Sequence, residues 1–222
     1  MCGRFALDFK REVIIEELEG GKWFEYRYPL DLPRYNVAPL QFAPVLFRED
    51  KRYMIDAFRW GLTPKWAKDE SYASRMINAR LETLCEKPAY RNLTEHHRCV
   101  ILSSGYFEWQ KTQNSKRPWY ITASHSSVLP LAGLWDVWTR PEQSPLYTFT
   151  IITKNADNQI SFIHDRMPLI LNQKILKPWL DGSIPINDPA VIVKDMAFYP
   201  VSQIVNNAQN DVPACVERMQ ST

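Results

Sequence analysis

Cys99-Val100-Ile101-Leu102-Ser103-Ser104-Gly105-Tyr106-Phe107-Glu108-Trp109 is the stretch that decides the fold. Its first four residues form an apolar strand. Ser103-Ser104-Gly105 interrupts it, and residues 106–109 resume as a second strand. The same pattern recurs on either side. Further strands are expected at 43–47, 53–60, 119–123, 129–135, 146–153 and 198–201, separated by polar or proline turns. Helical periodicity is confined to short runs at 11–19 (ending at Gly20-Gly21), 76–84, 88–92, 156–163 and 172–180. Prolines at 29, 33 and 39 forbid a long helix over 22–39, which reads as an ordered loop wrapping the body. Many short strands with scattered helices predict an α+β fold, a curved antiparallel β-sheet or open barrel with flanking helices. The 16 prolines are spread along the chain and no repeat or linker divides it, so residues 1–222 are expected to form one domain.

Composition narrows the function classes. Apolar content of 45% with 23% charged residues is ordinary for a soluble globular chain. No apolar run approaches the ~20 residues needed to cross a bilayer. The start of the chain lacks the pattern of a signal peptide, so a cytoplasmic protein with no membrane partner is expected. Cys2, Cys85, Cys99 and Cys215 form no CxxC pair, and no histidine stands at zinc-finger spacing from them. His96 and His97 are adjacent and would diverge. Neither a metal site nor a cofactor is expected, and the last three cysteines read as reduced thiols. A net charge of +2 does not by itself mark a nucleic-acid binder.

The chemistry points to the chain start, Met1-Cys2-Gly3-Arg4-Phe5. Loss of Met1 would leave Cys2 with an α-amine titrating near ~7.7–8.0 and a thiol near ~8.5. Both are then partly nucleophilic at neutral pH. Together they can trap an aldehyde: the amine forms an imine, and the tethered thiol closes a five-membered thiazolidine ring. Glu108 lies between Phe107 and Trp109. Alternation puts it on one strand face with Tyr106. There it is either an outward charge or a carboxyl of raised pKa fit for proton transfer. His164, in Ser161-Phe162-Ile163-His164-Asp165-Arg166-Met167-Pro168, is either a surface side chain or a proton-exchanging group on a turn. Asn78 either caps a helix or holds an oxygen by hydrogen bonds. Segments 2–5, 34–39, 59–80, 98–109 and 164–168 together hold nine Lys/Arg against four Asp/Glu. With Trp66 and Trp109 they fit a single-strand groove that contacts phosphates and stacks bases.

In order and spacing these segments resemble the SRAP family (SOS-response-associated peptidases, or abasic-site processing proteins). The motifs are the chain start, Arg34-Tyr35-Asn36-Val37-Ala38-Pro39, Trp60-Gly61-Leu62 with Pro64 and Trp66, Asn78-Ala79-Arg80 with Glu82-Thr83, Gly105-Tyr106-Phe107-Glu108-Trp109, Ala132-Gly133-Leu134-Trp135, His164-Asp165-Arg166-Met167-Pro168, and Val201-Ser202 with Val205-Asn206. Leu102-Ser103-Ser104 and Leu81 depart from the family's usual residues, which leaves the hydrogen bonding at Ser103-Ser104 open.

The resemblance implies a groove for single-stranded DNA and a thiazolidine crosslink between Cys2 and the ring-opened aldehyde of an abasic site. It implies Cys2, Asn78, Glu108 and His164 as active-site residues and Arg4, Arg80 and Arg166 as DNA contacts, with Trp66, Trp109 and Pro39 grouped beside them. On this reading His164 protonates the sugar ring oxygen, Glu108 deprotonates the Cys2 amine, and Asn78 holds the sugar or the Cys2 backbone. AP-lyase and self-processing peptidase activity are associated expectations, and so is a monomer, nucleoid-associated when acting on DNA. Two other classes fit part of the pattern: an N-terminal-nucleophile amidotransferase or amidohydrolase, and a non-catalytic single-stranded DNA binding module.

Overall fold

The computed structural model describes residues 2–18, 23–27, 31–113, 115–139, 144–188 and 195–220. Their elements in chain order are β1 (Arg4–Leu7), α1 (Arg11–Glu17), β2 (Glu25–Tyr26), β3 (Arg34–Val37), β4 (Phe42–Glu49), β5 (Arg52–Trp60), β6 (Asn78–Arg80), α2 (Leu93–His96), β7 (Arg98–Ser103), β8 (Gly105–Lys111), β9 (Lys116–Ala123), β10 (Leu129–Trp138), β11 (Leu146–Asn155), β12 (Arg166–Pro168), α3 (Leu176–Leu180) and β13 (Met196–Pro200). Short 3₁₀ turns join several of them.

Two curved sheets divide these strands. One runs β13-β9-β8-β1-β3. The other runs β12-β11-β10-β7-β4-β5-β2, with β6 paired to β11. An extra parallel pairing, Thr148↔Arg59 and Phe149↔Trp60, joins β11 to β5 and bends this sheet into a partly ring-like path. The expected curved, strand-rich architecture is present. Its pairing is mixed rather than purely antiparallel, because β5, β6 and β2 enter parallel pairings.

Ser104 is where the chain leaves one sheet for the other, between β7 and β8. Its polar atoms are fully used. Its N–H donates to Ala6 O at 2.9 Å, and its Oγ accepts from Asp8 N at 2.8 Å and lies 2.9 Å from Tyr120 Oη. Ser103 Oγ donates to Leu129 O at 2.7 Å. The two serines thus satisfy a buried crossover that would otherwise strand polar groups. Beyond the crossover the side chains alternate. Phe5, Leu7 and Tyr106 enter the main core between the sheets, while Ala6 and Phe107 enter a smaller cluster with Tyr120, Val201 and Val205. With both faces of β1 and β8 covered, Glu108 faces the protein on Tyr106's side.

Several elements differ from the sequence reading. The helix expected at 76–84 is absent: Asn78–Arg80 is β6, in register with β11 through Ile151↔Asn78 and Thr153↔Arg80. Ala79 is buried between a half-buried Asn78 and an exposed Arg80, a period of two that helical spacing obscured. Residues 88–92 and 156–163 form hydrogen-bonded turns, and α2 begins at Leu93. The loop expected at 22–39 contains β3, which seals the free edge of β1. The first helix ends at Glu17, and Gly20-Gly21 lie outside the described residues.

Gly105 sits where only hydrogen fits. A Cβ there would lie 2.5 Å from Tyr120 Cζ and 2.6 Å from Ile121 O. Gly105→Ala should therefore lower stability by about 1–3 kcal/mol, read as a lower urea midpoint. An unchanged midpoint would contradict this packing.

Candidate active site

β1 lies between β8 and β3, with Arg4↔Phe107, Phe5↔Tyr106 and Ala6↔Gly105 on one side and Phe5↔Val37 on the other. Continuing that register sets Gly3 across from Glu108. Cys2 is thereby delivered to the carboxyl by backbone pairing. Its carbonyl accepts a hydrogen bond from Asn78 Nδ2 at 2.8 Å, and its thiol lies 3.8 Å from Arg4 O. Asn78 Oδ1 is buried and makes no hydrogen bond among the described residues. Asn78 thus holds the Cys2 backbone, one of the two roles expected of it, and keeps an acceptor in reserve.

Burial sets the electrostatics of the site. Cys2 has no exposed surface in this chain, where Met1 precedes it. Burial pushes its thiol pKa well above the ordinary value, and the nearby Glu108 charge adds to the rise. In this Met1-bearing chain burial keeps the thiol protonated, a state distinct from the Met1-free Cys2 for which a nucleophilic thiol was expected. Glu108 is 3% exposed, and burial raises its pKa from 4.5 to about 7. Of the two alternatives, the side chain is thus a buried carboxyl of raised pKa, not an outward charge.

His164 is half-buried on the turn before β12. Its Nδ1 lies 3.0 Å from the Arg166 N–H and 2.8 Å from Asp165 Oδ1. Burial lowers its pKa, so the neutral ring, accepting the Arg166 N–H at Nδ1, is favoured at pH 7. The Asp165 charge acts on Glu108, and Gln110 Nε2 on β8 donates to Phe162 O at 3.3 Å. The His164 turn and Glu108 therefore lie on the same side of the molecule. The directions of the two shifts place the available proton on Glu108 rather than on His164.

The arginines expected at DNA separate into two groups. Arg4 Nη1 donates to Asn36 Oδ1 at 2.7 Å and Val205 O at 2.9 Å, fixing the 203–206 turn against β1. Arg166 makes a bidentate pair with Glu82 at 2.7 and 2.9 Å and also reaches Asn155 Oδ1 and Thr153 O, each at 2.7 Å. Both side chains brace the site in this state. Arg80 is exposed beside Asn78. Trp66 is 55% exposed and packs edge-on against Tyr72, near the exposed Lys65, Lys68 and Arg75. Trp109 is half-buried and its Nε1 donates to Asn206 Oδ1 at 2.7 Å; Pro39 is half-buried next to the exposed Leu40. Three cations grouped by sequence are engaged elsewhere. Arg34 pairs with Asp211, Arg59 with Glu70, and the buried Arg98 lies over Trp179. The positive surface is thus smaller than the grouping implied. Sequence reading gave no role to Glu82 or Asn36, although both stand in quoted motifs and both hold site arginines.

Among the described residues no three His, Cys, Asp or Glu side chains converge to hold a metal ion, and no helix is long and apolar enough to cross a membrane. The fold and site together define a class: a two-sheet β protein whose first strand sets a near-terminal cysteine against a buried carboxyl. The chain belongs to the SRAP family, SOS response associated peptidase, whose model matches residues 1–208. It is 38% identical to "Abasic site processing protein YoqW" of Bacillus subtilis (strain 168), over 98% of this chain and 99% of that one. It is 32% identical to "Abasic site processing protein HMCES" of Xenopus tropicalis, over 97% of this chain and 78% of that one. A crystal structure of a protein from Bacteroides thetaiotaomicron superimposes with a TM-score of 0.83 at 26% identity, covering 99% of this chain and 100% of that one.

The raised Glu108 pKa has a stability consequence. Between pH 4.5 and about 7 the native state keeps a proton that the unfolded chain has lost. Native stability therefore falls as pH rises through that window, and the loss is complete above it. Glu108→Gln removes this titration. Compared with its position at pH 4, the variant should gain up to about 3 kcal/mol on the wild type by pH 8. Parallel pH–stability curves for the two proteins would contradict the assignment.

Proposed function

We propose that this chain processes abasic sites in single-stranded DNA by forming a covalent thiazolidine with the ring-opened sugar aldehyde. Removal of Met1 frees the Cys2 amine. The observation that carries this reading is the juxtaposition of Cys2 with the buried Glu108, with Asn78 holding the Cys2 carbonyl at 2.8 Å. The names of the relatives, abasic site processing proteins, support abasic sites as what is acted on.

The shifts divide the work as follows. Ring opening needs a proton delivered to the sugar ring oxygen and another taken from the anomeric hydroxyl. Glu108, whose carboxyl burial lifts toward neutrality, is suited to deliver the first, and the neutral His164 ring to accept the second. This reverses the roles expected from sequence. The Cys2 amine then attacks the aldehyde, and loss of water gives an iminium. Glu108, now ionised, takes the thiol proton. Sulfur bonds to the former aldehyde carbon while the C=N electron pair moves to nitrogen. Each acid–base contribution is ordinarily ~10²–10⁴-fold. The iminium also permits β-elimination, so slow strand cleavage is part of the proposal. Arg80 and Trp66 are the exposed phosphate and base contacts, while Arg4 and Arg166 hold the walls.

An abasic single-stranded oligonucleotide mixed with protein and run on a denaturing gel tests this. The wild type should give a heat-stable adduct, and Cys2→Ala none. Cys2→Ser should give a species that survives only after borohydride reduction. Equal adduct from wild type and Cys2→Ala would refute the reading. Arg80→Ala should raise the protein concentration needed for half-maximal adduct and flatten its salt dependence; an unchanged concentration would remove Arg80 from the interface.

A further inference from the structure

Tyr106 is fully buried, and its hydroxyl makes no hydrogen bond among the described residues. That is an unusual state for a phenol. Buried tyrosine hydroxyls ordinarily find a partner, and one without a partner destabilises the fold. Phenylalanine would fill the same ring space, and the neighbouring Phe107 shows that the strand accepts one. The hydroxyl is also well placed. Tyr106 pairs with Phe5 of β1, precedes Glu108 by two residues on the same strand face, and shares its core cluster with Cys2. The charges of Cys2, Glu108 and, more weakly, Asp157 act on it. The remaining neighbours of the thiol offer little. Asn78 Nδ2 is engaged by the Cys2 carbonyl, and among the described residues the thiol's one hydrogen bond is to an acceptor, Arg4 O.

We propose that Tyr106 is a further catalytic residue, whose hydroxyl donates a hydrogen bond to the Cys2 sulfur as the thiol ionises and closes the ring. This deepens the thiazolidine reading and rests on it. Burial leaves the thiolate without water. A fixed O–H donor is the group that can offset this, and it stays protonated because burial also holds the phenol above its ordinary pKa. In the step concerned, the thiol proton passes to the Glu108 carboxylate. The S–C bond forms, and the C=N pair goes to nitrogen. Tyr106 keeps its proton throughout and strengthens its hydrogen bond as charge gathers on sulfur. Amine attack on the aldehyde does not involve sulfur and should not depend on Tyr106.

Tyr106→Phe removes one oxygen and leaves the ring in place. Three readouts on Met1-processed protein separate the outcomes. The first is the rate of irreversible adduct formation against the rate of the borohydride-trapped imine. The second is the pH midpoint of Cys2 alkylation by iodoacetamide without DNA, resolved by peptide mass. The third is the melting temperature. The proposal expects ring closure slowed at least 10-fold, imine formation within 2-fold of wild type, an alkylation midpoint shifted upward, and a melting temperature equal or higher, since an unpartnered group has been removed. Wild-type ring closure with an unmoved midpoint would overturn it. So would a lowered melting temperature with both chemical steps slowed alike, which marks a structural hydroxyl. If wild-type protein gives no adduct while the alkylation midpoint still moves, the abasic-site reading fails and the Tyr106–sulfur contact stands.

Discussion

Everything at this site depends on β1 being a central strand of its sheet. Strands near a chain end are often frayed, but here Arg4–Leu7 is paired on one side to β8 and on the other to β3. That double pairing fixes the position of residue 2 to within the slack of two peptide units. It also imposes the site's electrostatics. A strand in the middle of a sheet, with apolar clusters on both faces, carries its terminus into a place with little water. The same pairing therefore positions Cys2, keeps its thiol protonated and raises the Glu108 pKa.

The consequence is a site that costs stability in order to hold reactive groups. A carboxyl at 3% exposure, an unused Asn78 acceptor and an unused Tyr106 hydroxyl are each unfavourable in isolation. They persist because the surroundings are over-determined. Arg166 and Glu82 lock β12 to the turns after β6, Arg4 and Asn36 lock the 203–206 turn to β1, and Ser104 satisfies the crossover between the sheets. Such placement of buried polar groups inside a rigid frame is what pre-organised catalysis requires. It also explains why two arginines that look like ligand contacts in the sequence act as braces in the fold.

The sequence made the strand-rich fold legible because alternation survives in short runs such as Tyr106-Phe107-Glu108, where neighbouring residues enter different clusters. It misread Asn78-Ala79-Arg80 as helical because a three-residue strand is too short to show its period, and its partner on β11 lies more than seventy residues away. Cys2, Asn78, Glu108 and His164 were readable as a candidate set. Their protonation states were not, since burial is a property of the whole fold. No single-residue pattern could show that His164 would lose affinity for its proton while Glu108 gained it. The arginines were miscounted for the same reason. Charge is visible in a sequence, but whether a guanidinium faces Glu82 or solvent depends on which turns the sheets bring beside it.

The central claim is that one amine and one thiol on residue 2 close a ring on an aldehyde carbon. Intact-mass measurement of the protein after incubation with an abasic oligonucleotide, without reductant, tests it most directly. The account predicts a single new species equal to the chain lacking Met1 plus the oligonucleotide less one water, with proteolysis placing the modification on Cys2. A modification on any other residue, or an adduct on chains that retain Met1, would contradict it.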